Sequence, residues 1–118
     1  MKSIWIFVVV FGSVVLANEA DVLAVKHVCT PQRVCRFDVT IRHHDAGWKH
    51  YVNRYEILDP HGAILATRVL WHPHVEEQPF TRSLGGVTIP TGVQKVTVRA
   101  HDLVHGFGGK EMTVTLFQ

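Results

Sequence analysis

An alternation of apolar and polar residues with a period of two constrains this chain more than any other feature. Cys35, Phe37, Val39 and Ile41 share one parity while Arg36, Asp38, Thr40 and Arg42 take the other, the pattern of a strand with one buried and one wet face. Val96, Val98 and Ala100 repeat it, as do Met112, Val114 and Leu116, and no segment sustains a helical period. Strands are predicted over residues 20–28, 35–43, 53–58, 63–70, 80–89, 93–100 and 110–117. Asp59-Pro60-His61-Gly62 and Pro90-Thr91-Gly92 are turns. Gly85-Gly86 marks a bulge or weak point in the fifth strand.

Seven short strands separated by Gly and Pro turns predict an all-β fold, a seven-stranded antiparallel immunoglobulin-like β-sandwich. The length, 118 residues, suits one domain. Met1-Lys2-Ser3 followed by the apolar run Ile4 to Leu16 reads as a secretory signal peptide over 1–17. Val15-Leu16-Ala17 sets the cleavage site, and the run is shorter than the roughly 20 residues a membrane span needs. The remainder, 18–118, would be a single periplasmic or secreted domain with no membrane contact after cleavage.

Twelve Lys and Arg oppose ten Asp and Glu, with no basic run. This argues against a nucleic-acid partner, whose phosphates need clustered cations. Cys29 and Cys35 flank a turn, and in an oxidising compartment such a pair forms a disulfide; a soft-metal thiolate pair is the lesser alternative. No Ser-His-Asp order, phosphate-binding glycine loop or paired catalytic carboxylates stands out. Gly106, Gly108 and Gly109 read as flexible turn residues.

Nine histidines in so short a chain are unusual. If successive strands run antiparallel, their connections alternate between two poles. The second, fourth and sixth connections, residues 43–52, 71–79 and 101–109, then share one pole and contain His43, His44, His50, His72, His74, His101 and His105. His27 and His61 fall at the other pole, with the cysteine turn. Imidazole is the commonest side-chain metal ligand, and three loops can surround an ion. Scarce methionine disfavours Cu(I) relative to Fe(II), Zn(II) or Cu(II). The competing reading is a pH-sensitive histidine face.

Two segments at this pole resemble the iron-binding domain of superoxide reductases and desulfoferrodoxins, a family of seven-stranded immunoglobulin-like β domains. His44-Asp45-Ala46-Gly47-Trp48-Lys49-His50-Tyr51 is similar to the family's loop with two iron-ligating histidines six residues apart. Asp102-Leu103-Val104-His105-Gly106-Phe107 resembles its Cys-Asn-x-His-Gly segment. The resemblance implies His44, His50 and His105 as equatorial ligands, with iron the metal most suggested. Asp102 stands where the family has its ligating cysteine, implying a harder site and arguing against superoxide reduction while leaving metal binding intact. The family's remaining histidine comes from an amino-terminal segment, where this chain has only His27, at the other pole; His72 or His74 would replace it, and His101 is an alternative to Asp102. Glu76 and Glu77 are either acceptors behind the imidazoles or solvated. Trp48, Trp71 and Phe107 either shield the site or anchor loops.

These observations predict an exported metal-binding β-sandwich that acts as a carrier or weak redox protein, at most superoxide reductase-like in activity. The alternative is a non-enzymatic periplasmic interaction module whose histidine pole meets a protein partner.

Overall fold

A computed structural model describes residues 19–118; the predicted signal peptide and its cleavage site lie outside them. The described chain forms seven strands: β1 (Asp21–Cys29), β2 (Val34–Arg42), β3 (Val52–Leu58), β4 (Ile64–Val69), β5 (Phe80–Thr88), β6 (Lys95–Asp102) and β7 (Met112–Thr115). They build a three-stranded sheet, β1-β2-β5, and a four-stranded sheet, β4-β3-β6-β7. Every pairing is antiparallel. No helix occurs among the described residues.

The sheets meet through the residues that alternation turns inward. Phe37, Val39 and Ile41 of β2 pack against Tyr55 and Ile57 of β3 and Val96 and Val98 of β6 in one buried core. Burying these side chains supplies the main drive for pairing the layers. Each strand expected from period two therefore lands within two residues at either end of the strand observed, β7 being shortened by two at both ends. That strand pairs over four residues only, Lys95↔Thr115 to Val98↔Met112.

Side chains finish the exposed edge of β5. The buried Tyr55 hydroxyl donates to the Arg82 carbonyl at 2.9 Å and Arg68 Nε to the Ser83 carbonyl at 3.0 Å, so the four-stranded sheet caps carbonyls of the three-stranded one. Opposite β2 the register slips between Cys35↔Val87 and Phe37↔Leu84. Gly85 and Gly86 form the bulge there, with Gly86 at φ +67°, a conformation glycine adopts at little cost.

Cys29 and Cys35 face each other across the β1–β2 hairpin and form a disulfide. The other end of that hairpin, where Asp21 pairs with Arg42, opens onto the histidine pole. Gly108 and Gly109, expected as flexible turn residues, answer a tighter demand. A Cβ on Gly109 would stand 1.8 Å from the Ala20 carbonyl oxygen, and one on Gly108 would stand 2.3 Å from a Glu19 carboxylate oxygen. Close backbone approach, rather than freedom to turn, requires glycine at 109.

Candidate metal centre

Two strands deliver the central side chains by continuing their own alternation. On β2 the inward series Phe37, Val39, Ile41 extends past the last ladder residue to His43 and Asp45, all buried. On β6 the series Val96, Val98, Ala100 ends at Asp102, fully buried. The loop between β2 and β3 then folds back to bring in His50, and the turn after Asp102 brings in His105.

Asp102 shapes that turn. One carboxylate oxygen, Oδ1, accepts the Val104 and His105 amides at 2.8 and 2.6 Å, and Gly106 closes it with a bridge to Asp102 at φ +68°. The His105 and His50 rings approach the same oxygen, each through a nitrogen 3.3 Å away. The other oxygen, Oδ2, is buried without a hydrogen-bond partner among the described residues and lies 3.7 Å from His43 Nε2. A buried carboxylate oxygen left bare is costly, and buried charges are ordinarily paired or bound to a metal.

His43 Nε2 and His50 Nε2 are 3.2 Å apart. His43 Nδ1 is hydrogen-bonded to Asp45 Oδ1; donating there puts the proton on Nδ1 and leaves Nε2 with its lone pair facing the centre. This is the carboxylate–histidine arrangement that fixes tautomer and ring orientation in metal sites. The two Nε2 atoms can share one proton or one metal ion.

His43, His50 and Asp102 thus offer three ligand atoms within 4.8 Å of one another, a group that could hold a metal ion. With bonds of roughly 2.1 Å, neighbouring ligands stand about 3.4 Å apart in a tetrahedron and about 3.0 Å in an octahedron. The two Nε2 atoms at 3.2 Å and His50 Nε2 at 3.3 Å from Asp102 Oδ1 lie within that range, whereas His43 Nε2 stands 3.7 Å from the other carboxylate oxygen, Oδ2, a little beyond it. His105, whose side chain is 35% exposed, stands at the rim, where a further ligand or solvent would enter.

Asp45 supports the centre from behind. Oδ1 also accepts the Val52 amide at 3.3 Å and Oδ2 the His74 amide at 2.6 Å. Burial pushes its carboxyl up, but the hydrogen bonds from His43 and the two amides outweigh burial and hold it below the ordinary range.

The histidines named from sequence therefore divide. His50 and His105 join Asp102 at the centre. His44 is exposed, one residue out of phase with the inward face of β2, and His43 is the residue that faces Asp102 and His50 there. His101 points to the outer face of β6, where its Nδ1 meets Asn53 Oδ1 at 2.6 Å and Arg54 at 3.3 Å; burial and then Arg54 push its pKa down. His72 is exposed. His74 is buried but stacks on Phe80 with centroids 4.1 Å apart, and burial followed by Arg82 lowers its pKa. Glu77 pairs with Arg82 at 2.8 Å, Glu76 is exposed, and Phe107 lies under Arg99 on the outer sheet face. His43 and Asp45 were legible all along, because continuing the β2 parity by two and four residues reaches them.

No protein-family model matches the chain, and no solved structure matches it. It is 38% identical over 97 residues to a protein of Halomicrobium mukohataei described as "Putative lipoprotein". The match covers 82% of this chain and 47% of that protein, so the chain spans about half the length of this relative. No helix among the described residues is long and apolar enough to cross a membrane.

Proposed function

We propose that this is an exported, immunoglobulin-like β-sandwich protein that binds one divalent transition metal ion at its histidine pole. His43, His50 and Asp102 are the ligands, His105 the rim residue and Asp45 the support. The observation that carries this reading is the convergence of two imidazole Nε2 atoms, 3.2 Å apart, on the buried Asp102 carboxylate, His50 at Oδ1 and His43 toward the unpartnered Oδ2. Two histidines and a carboxylate suit Fe(II), Zn(II) or Cu(II). Export is supported by the disulfide, by the apolar leader and by the relative's description, which suggests the cell envelope.

The likeness to superoxide reductases rests on the two short sequence segments around His44–His50 and Asp102–His105; the two antiparallel sheets support the sandwich scaffold alone. A carboxylate in the place of the thiolate makes the site harder, which favours holding or carrying a metal over reducing superoxide.

The test is titration of the purified chain with Zn(II) and Co(II). One ion per chain is expected, with His43→Ala, His50→Ala and Asp102→Ala each weakening affinity by about 100-fold or more and His44→Ala changing it little. Zn(II) binding no tighter than that of the triple variant sinks the proposal.

A second reading is favoured by a separate observation. Trp48, Trp71, Val75, Leu103 and Val104 are exposed large hydrophobic residues on the three loops of this same pole, and exposed apolar groups gathered around one site mark contact surfaces. A protein partner seated there would bind in the presence of chelator, and Trp48→Ser with Trp71→Ser would release it.

A further inference from the structure

His43 and His74 sit on different connections, yet four hydrogen bonds through two side chains link them in a closed ring. Asp45 takes the His43 ring at Oδ1 and the His74 amide at Oδ2. Gln78 accepts the His43 amide through Oε1 at 2.9 Å and donates through Nε2 to the His74 carbonyl at 2.8 Å. Beyond this ring the loop of residues 71–79 is largely exposed, at Trp71, His72, Val75, Glu76 and Glu77. Together with Arg82 it lines an open pocket of about 400 Å³ that includes His74.

From this ring we infer that Asp45 is a positioning residue coupling the metal centre to the 71–79 loop, so that metal binding orders the loop and its pocket. The inference rests on the metal-binding reading above. Ligation through Nε2 requires the His43 proton to remain on Nδ1, which is the proton given to Asp45. A bound cation polarises the imidazole and strengthens that hydrogen bond. The same carboxylate holds the His74 amide, so strengthening one side of the ring fixes the other. Reciprocity then demands that an ordered loop raise metal affinity by the factor by which metal stabilises the loop.

Asp45→Asn breaks the coupling by arithmetic of donors. The carboxylate accepts from three N–H groups, whereas an amide offers one acceptor oxygen and an NH2. If the NH2 faces His43, the imidazole proton moves to Nε2 and blocks ligation. If it faces His74, donor meets donor and the loop is released.

The experiment is amide hydrogen exchange of the full chain with and without saturating Zn(II), together with Co(II) absorption spectra of the wild type and Asp45→Asn. In the wild type, exchange at residues 74–78 should slow by about tenfold or more on Zn(II) binding. Asp45→Asn should lose that slowing, bind Zn(II) about 10- to 100-fold more weakly and shift the visible Co(II) bands. The inference is overturned if the wild type binds one Zn(II) with no change in loop exchange. It is equally overturned if Asp45→Asn keeps wild-type affinity and spectrum. Absence of any Zn(II) binding by the wild type would instead remove the metal reading, and this inference with it. Should Asp45→Asn fail to fold, wild-type exchange decides, joined by Gln78→Ala, which cuts the other half of the ring and should blunt the slowing without touching a metal-facing atom.

Discussion

Gly109 passes so close to Ala20 that a single added carbon would overlap the neighbouring carbonyl oxygen. Relief requires the chain entering β1 and the chain entering β7 to separate, since backbone rather than a flexible side chain is in the way. Gly109→Ala is expected to lower stability by about 2–3 kcal/mol, seen as an earlier urea midpoint with unchanged slope. At the centre, single atoms likewise decide roles. His43 and His44 are chemically identical neighbours, but one is buried against two carboxylates and the other is exposed. Only the first has its Nδ1 proton placed by a fixed acceptor.

At the scale of the strand, β3 and β6 are held by a charged group as well as by the ladder. Glu56 is nearly buried on the outer face of the sheet, where Arg99 donates to it from β6 at 2.8 and 3.0 Å and Arg54 from its own strand at 3.0 Å. Burial pushes the Glu56 carboxyl up, and the hydrogen bonds from Arg99 and Arg54 outweigh it, leaving the pKa below the ordinary value. A carboxyl whose folded pKa is depressed stabilises the fold above its unfolded pKa and loses that contribution as pH falls through the folded value. Glu56→Gln should therefore cost about 2 kcal/mol at pH 7, and the gap between variant and wild type should close on acidification below pH 4. Urea melts across pH 3 to 7 check both the size and the sign.

Across the whole molecule the two poles carry different groups, a disulfide at one and the histidine–carboxylate cluster at the other. The Cys29–Cys35 disulfide closes the β1–β2 hairpin at the end away from the histidines. Joint replacement, Cys29→Ala with Cys35→Ala, should lower stability by about 2 kcal/mol for so short a loop while Zn(II) affinity stays within about threefold. Calorimetric titration beside thermal melts separates the two effects. Strand positions and the shared pole were legible in the sequence because alternation and connection parity are properties of the chain taken in order. The resemblance named His50, Asp102 and His105, which lie together in the structure, and it named His44. The parity of β6 turns Asp102 rather than His101 inward, and that of β2 turns His43 rather than His44 inward. The Asp45–His74–Gln78 ring was not legible, since no local pattern tells which loop amide a buried carboxylate will meet. By itself, then, the sequence determined the all-β architecture and which end of it holds the histidines, because side-chain period and strand direction are local and cumulative. Only the tertiary structure decided which nitrogen faces which oxygen, because that depends on how three loops distant in sequence pack against one another.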